Sequence, residues 1–162
     1  MSTEFNHKLI SKWINQKSNV LDLGCGDGEL MYYLKNHNDA VVHGIEISEQ
    51  CIYKCVEKGL SVFHSDIENG LADFPDKSFD YVVLYNSLQQ IKNLSFVLSE
   101  ALRVGKEVIV GFPNFAYYSS RFSLFFRGKA PITKDLPYRW DNTPNVHFFS
   151  IDDFKDFCKI NN

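Results

Sequence analysis

The sequence predicts an open α/β fold: a mostly parallel sheet with helices on both faces. Two observations carry this. Short apolar segments that read as strands alternate with segments of helical periodicity along residues 19–112, the pattern of βαβ units. The first such strand also runs directly into alternating glycines, Gly24, Gly26 and Gly28, and then into a helix. The 162 residues are expected to form one domain, and at 44% hydrophobic and 23% charged they lie within the range of ordinary globular chains.

In residues 1–18, Phe5, Leu9, Ile10, Trp13 and Ile14 recur at helical spacing, with Ser2 or Thr3 available as a cap. They predict a short helix packed on the domain by one face. Residues 19–112 are the expected nucleotide-binding core. Its first strand is 19–23, and Leu30, Met31 and Leu34 mark the inner face of the helix that follows. The second strand covers 40–47. Ser48 caps a helix with Ile52, Cys55 and Val56 on its apolar face, and Gly59 stops it. A third strand, 60–64, leads to Asp66 and then to a polar, turn-rich stretch ending in Pro75–Ser78. Residues 79–85 read as a buried strand. Asn93 caps a helix bearing Leu94, Val97, Leu98, Ala101 and Leu102, Gly105 ends it, and 106–112 form the fifth strand.

Residues 113–150 differ in kind. Eleven of the 24 aromatic residues lie between Phe112 and Phe149. Between Tyr117 and His147, Arg121, Arg127, Lys129, Lys134 and Arg139 face only Asp135 and Asp141. Pro131, Pro137 and Pro144 exclude one continuous helix. Most of these aromatics are expected to be core or cover over the sheet, with the segment facing a substrate or partner. Residues 151–162 form a last amphipathic helix through Phe154, Phe157 and Cys158.

Composition excludes several classes. A net charge of −3 does not suit a generally basic nucleic-acid binder, so no nucleic-acid partner is expected. The longest apolar runs fall far short of the roughly 20 residues that span a bilayer, and no basic-then-apolar leader opens the sequence. Four cysteines do not make a disulfide framework, which points to a reducing cytoplasm. Cys51 and Cys55 share a helix face, but no second ligand motif accompanies them and no metal is expected. Cys25 has no adjacent base and reads as a packed residue.

The glycine loop carries the chemistry. Glycines at a strand-to-helix turn let backbone approach a ligand, and the helix N-terminus presents free N–H groups. The spacing is GxGxG; the dinucleotide pattern GxGxxG would need glycine where Glu29 stands. Asp22 precedes the loop, where a carboxylate can hold a cationic amino group. Glu46 ends the second strand at the carboxyl edge of the sheet, suited to a ribose diol and hostile to a 2′-phosphate. Asp66 falls on the same edge, within the reach of an adenine amino group.

Val20-Leu21-Asp22-Leu23-Gly24-Cys25-Gly26-Asp27-Gly28 resembles the first motif of class I S-adenosylmethionine (SAM)-dependent methyltransferases. Further motifs are similar to those of the methionine-biosynthesis MetW family: Asp66-Ile67-Glu68-Asn69-Gly70-Leu71, Phe74-Pro75-Asp76, residues 78–84 and Phe112-Pro113-Asn114-Phe115. So are Leu136-Pro137-Tyr138, Trp140, Thr143-Pro144-Asn145 and His147, so the resemblance runs from about Val20 to Cys158. It implies a Rossmann-like fold and SAM as cofactor, with S-adenosylhomocysteine as product or inhibitor. By the same resemblance Asp22 would hold the amino end of SAM, and Gly24 and Gly26 its carboxylate. Glu46 would take the ribose, Asp66 and Ile67 the adenine, with Ile47 flanking the ring, and the backbone at Tyr85 would border the sulfonium. The family is implied to work in methionine biosynthesis with a homoserine O-acyltransferase. It also implies seven strands; the C-terminal strand hairpin is expected to be missing, since the sequence stops at Asn162. That leaves the fifth strand as an exposed edge open to self-association.

Oxygen and nitrogen acceptors of a methyl group often need a base. Residues 85–90, Tyr-Asn-Ser-Leu-Gln-Gln, contain none, and His147 is the remaining candidate. Two functions are therefore expected to compete: an accessory subunit supporting the acyltransferase, and an active methyltransferase whose acceptor lies under residues 112–149.

Overall fold

The structure, a computed structural model, describes residues 3–69 and 71–161. The proposed Ser2 cap and Gly70 of the Asp66–Leu71 motif lie outside them. Helix α1 (Thr3–Ser11) precedes β1 (Asn19–Leu23), α2 (Glu29–Asn38), β2 (Val41–Glu46), α3 (Glu49–Glu57) and β3 (Ser61–His64). Strand β4 (Phe79–Tyr85) is followed by a 3-10 turn, Leu88–Gln90, then α4 (Leu94–Val104) and β5 (Gly105–Gly111). Helices α5 (Tyr118–Arg127) and α6 (Ile151–Ile160) complete the order.

The five strands form one parallel sheet in the order β3-β2-β1-β4-β5. Each strand's period-two alternation splits the core in two. Val20 on β1 and Tyr81 and Val83 on β4 face a layer with Ile10 and Ile14 near α1, Leu30, Met31 and Leu34 of α2, and Cys55 of α3. Leu21, Leu23, Val82 and Leu84 face the opposite layer, with Val97, Leu98, Ala101 and Val104 of α4. This is the expected α/β sandwich, buried on both faces of its central strands.

The reversal of strand order between β1 and β4 opens a crevice at their carboxyl ends, where open α/β sheets bind ligands. The caps match the residues that predict them: Ser48 Oγ accepts from Cys51 N, and Asn93 Oδ1 from Phe96 N. Gly105 ends α4 for a different reason than a left-handed turn. Its backbone is already extended, at φ −99°, and a Cβ there would sit 2.6 Å from Val82 Cγ2.

Two expectations are corrected. The N-terminal apolar face holds only in part: Ile10 and Ile14 are buried as expected, but Phe5, Leu9 and Trp13 are exposed, and His7 is buried. The aromatics of 112–149 are not mainly core or cover. Eight of them, including Tyr118, Phe125, Phe126 and Trp140, are exposed, while Phe112 and Phe149 pack beside α6. Aromatic content fixes contact area but not which side supplies the contact, and α5 turns its phenylalanines outward.

Candidate functional site

The glycine loop is shaped by left-handed backbone at Gly24, Gly26 and Gly28, with φ of 74°, 56° and 76°. These glycines do different work. A Cβ on Gly28 would meet Leu60 Cδ1 at 2.6 Å and Cys55 Sγ at 2.8 Å, so that glycine lets α2 start against α3. A Cβ on Gly26 would meet nothing within 4 Å, so that glycine faces open space. From below, Cys55 Sγ donates to the Gly26 carbonyl at 3.2 Å. Burial pushes the Cys25 and Cys55 thiols up, which suits packed, unreactive cysteines.

Asp22 is 2% exposed, and no hydrogen bond reaches its carboxylate among the described residues. Burial first, and the nearby Glu46 carboxylate second, push its pKa up to about 7. A buried carboxylate without a partner is costly, and a cation delivered beside the loop would relieve it.

Glu46 is engaged within the chain. Its Oε2 accepts from Gly26 N at 2.8 Å, and its Oε1 from Ile47 N and Ser48 N at 2.9 Å each. A carboxylate has about four acceptor sites, so one further hydroxyl can be held while the loop stays tied. Ile47 is exposed on the same edge. Asp66 is also exposed; its Oδ1 accepts from Glu68 N, and it lines an open cavity of about 480 Å³ with Glu68, Asn69, Lys92, Asn93 and Phe96. Ile67 packs against the α4 layer. Neither the glycine loop nor Glu46 lines that cavity.

Beyond β4 the chain is tightly held. Ser87 Oγ donates to the Leu23 carbonyl, joining the exits of β4 and β1. Asn86 is left-handed at φ 59°, its N–H donating to Gly111 O at 2.7 Å. The Gln89 carbonyl accepts from both Val146 N and His147 N, so the distal segment is pinned to this loop. Gln89 Oε1 and His147 Nε2 are buried without a hydrogen-bond partner among the described residues.

The sequence reading missed one group. Helix α1 brings Asn6 Nδ2 within 2.9 Å of the Tyr85 hydroxyl, to which it donates, and sets the His7 ring edge-on to Tyr85 at 5.7 Å. Burial lowers the His7 pKa, partly offset by Glu29 and Asp27. No spacing signal links residue 7 to residue 85; the tertiary placement of α1 does.

A family model described as methionine biosynthesis protein MetW matches residues 4–162. The chain belongs to the MetW family. It is 35% identical over 148 residues, 86% of its length, to the bifunctional methionine biosynthesis protein MetXA/MetW of Rhodopirellula baltica. Its match takes up 24% of that fused protein, about a quarter of its length. Among solved structures, it is similar to a SAM-dependent methyltransferase, possible histamine N-methyltransferase, from Thermotoga maritima, with TM-score 0.70, 21% identity and coverage of 97% of this chain and 69% of that one. A SAM-dependent methyltransferase from Archaeoglobus fulgidus gives TM-score 0.69, 20% identity, and coverage of 99% and 68%. At such identities these structures show the class I methyltransferase fold of this MetW-family chain. The family ties the chain to methionine biosynthesis. No helix among the described residues is long and apolar enough to cross a membrane.

Proposed function

We propose that the chain is a SAM-binding accessory subunit that supports a homoserine O-acyltransferase. The observation that carries the partnership is the fusion: in the Rhodopirellula baltica relative, a segment like this chain shares one polypeptide with MetXA. A covalent tether raises the effective concentration of one module at the other, provided its geometry lets the two meet.

The residues present fit SAM. Asp22 would neutralise the amino end, since its carboxylate is buried and unpartnered among the described residues. The open face at Gly26 leaves room for the methionine carboxylate, and Glu46 retains an acceptor site for a ribose hydroxyl. Ile47 and Asp66, on the same edge, would flank the adenine and accept from its amino group. SAM supplies an electrophilic methyl group when bound. The test is the initial rate of the acyltransferase as this chain is titrated in. A saturable rise ending at a fixed ratio of the two proteins supports the reading, and a flat rate contradicts it.

A second reading, an active methyltransferase, is favoured by His7 beside Tyr85 at the carboxyl end of β4, its pKa lowered by burial. Holding an acceptor in line with the methyl supplies much of such a rate, and His7 or His147 would take the acceptor's proton. Release of S-adenosylhomocysteine with an acceptor, lost in His7→Asn, distinguishes it.

A further inference from the structure

Phe115 and residues of 130–148, among them Pro131, Leu136, Tyr138, Trp140 and Phe148, line a small cavity. It shares no residue with the glycine loop or with the cavity beside Asp66. Its volume is about 130 Å³. A void of roughly 150 Å³ holds one benzene-sized group, whereas pockets for whole small molecules begin near roughly 300 Å³. The cavity therefore suits one apolar side chain.

Its construction is that of an anchor point. Pro131 and Leu136 are buried, while Tyr138, Trp140 and Phe148 are 50%, 77% and 51% exposed, forming an aromatic rim. The walls are preset: Thr133 N donates to Leu136 O, Leu136 N donates back to Thr133 Oγ1, and Val146 and His147 are pinned to Gln89. A preset pocket loses little entropy on binding, and aromatic-lined pockets are where interface energy concentrates.

The charge of the segment that supplies most of its lining favours an acidic occupant. Arg121, Arg127, Lys129 and Lys134 are exposed and form no ion pair among the described residues, while Arg139 pairs with Asp141 at 3.0 Å. Asp135 is the one other acid between Tyr117 and His147. The chain as a whole carries −3, so this segment has the opposite sign and would orient an acidic approach.

We propose that this cavity receives a single large apolar side chain from an acidic segment of the acyltransferase, which makes it the anchor of that interface. The inference rests on the accessory reading above. Aromatics among cations also stack nucleic-acid bases, but bases need open platforms and not a recess of one side chain's size.

The test is the Kd of the acyltransferase for the wild-type chain and three variants, each checked by circular dichroism and thermal melting. Trp140→Ala removes the rim, Ala130→Trp fills the recess from an exposed position, and the double variant Lys129→Glu/Lys134→Glu reverses the flank. Each of the first two is expected to weaken binding by about tenfold or more. The third is expected to slow association, most of all at low salt. If Trp140→Ala does not fold, Ala130→Trp decides. Wild-type binding matched within about twofold by Ala130→Trp overturns the anchor and leaves the accessory reading standing. No binding by the wild type overturns both. Polyuridine RNA bound by the wild type and lost in Trp140→Ala, with the acyltransferase Kd unchanged in that variant, would assign the recess to nucleic acid and also overturn the proposal.

Discussion

The Gly26 N–H donates to Glu46 Oε2 at 2.8 Å, across the gap between the β1 and β2 exits. The glycine loop is thus held from the next strand by the residue that the sequence assigns to a ribose. Glu46 sets the shape of the loop, and in the proposed reading it also meets the ribose.

Replacing that carboxylate should show both roles. In Glu46→Gln one amide oxygen can still accept from Ile47 and Ser48, but the NH₂ group then faces the Gly26 N–H, donor against donor. A stability loss of about 1–3 kcal/mol is expected, with weaker SAM binding. Urea unfolding and calorimetry measure the two; unchanged SAM affinity would refute the ribose assignment.

Asp22 gives a pH prediction. Its folded pKa is raised to about 7 from 3.8, chiefly by burial and then by Glu46. Between about pH 4 and about pH 7 the native state keeps a proton that the unfolded chain has lost, so this group's contribution falls as pH rises and levels off above that window. Asp22→Asn should therefore be more stable than wild type at pH 8, by on the order of a few kcal/mol, and equal to it below pH 4. Denaturant midpoints at both pH values check the sign. A cationic ligand would favour the ionised carboxylate, so SAM affinity should rise with pH through about 7 and collapse in the variant.

The glycines separate folding from binding. Gly28→Ala combines left-handed backbone with a Cβ 2.6 Å from Leu60 Cδ1, and about 2–4 kcal/mol of stability should be lost. Gly26→Ala has only the backbone cost, about 1–2 kcal/mol, because its Cβ meets nothing within 4 Å. That Cβ would project into the open face, and Gly26→Ala is expected to lose SAM binding with a smaller melting loss than Gly28→Ala. Equal melting losses in the two variants would contradict this division.

The pattern of the strands was legible because period and burial coincide. Residues 79–85, apolar but for Asp80, form β4 with those bounds, and the alternating glycines mark the β1 turn. What the sequence hid depends on distance in the chain. The approach of Asn6 and His7 to Tyr85 spans 79 positions at its hydrogen bond and leaves no periodic trace. The engagement of Glu46 by Gly26 spans 20 positions, and a lone carboxylate does not announce its donors. In residues 113–150 the aromatics suggested burial, yet Phe125 is 83% exposed; helix α5 was not anticipated, because prolines beyond it obscured a ten-residue helix.

The most direct measurement of the central claim is the rate of the homoserine O-acyltransferase with and without this chain, at zero and saturating SAM. The rate is expected to rise with the chain and to shift when SAM is added, with the shift abolished by Asp22→Ala. A rate indifferent to the chain under both conditions, with SAM binding confirmed, would contradict it and leave methyl transfer as the function of the site.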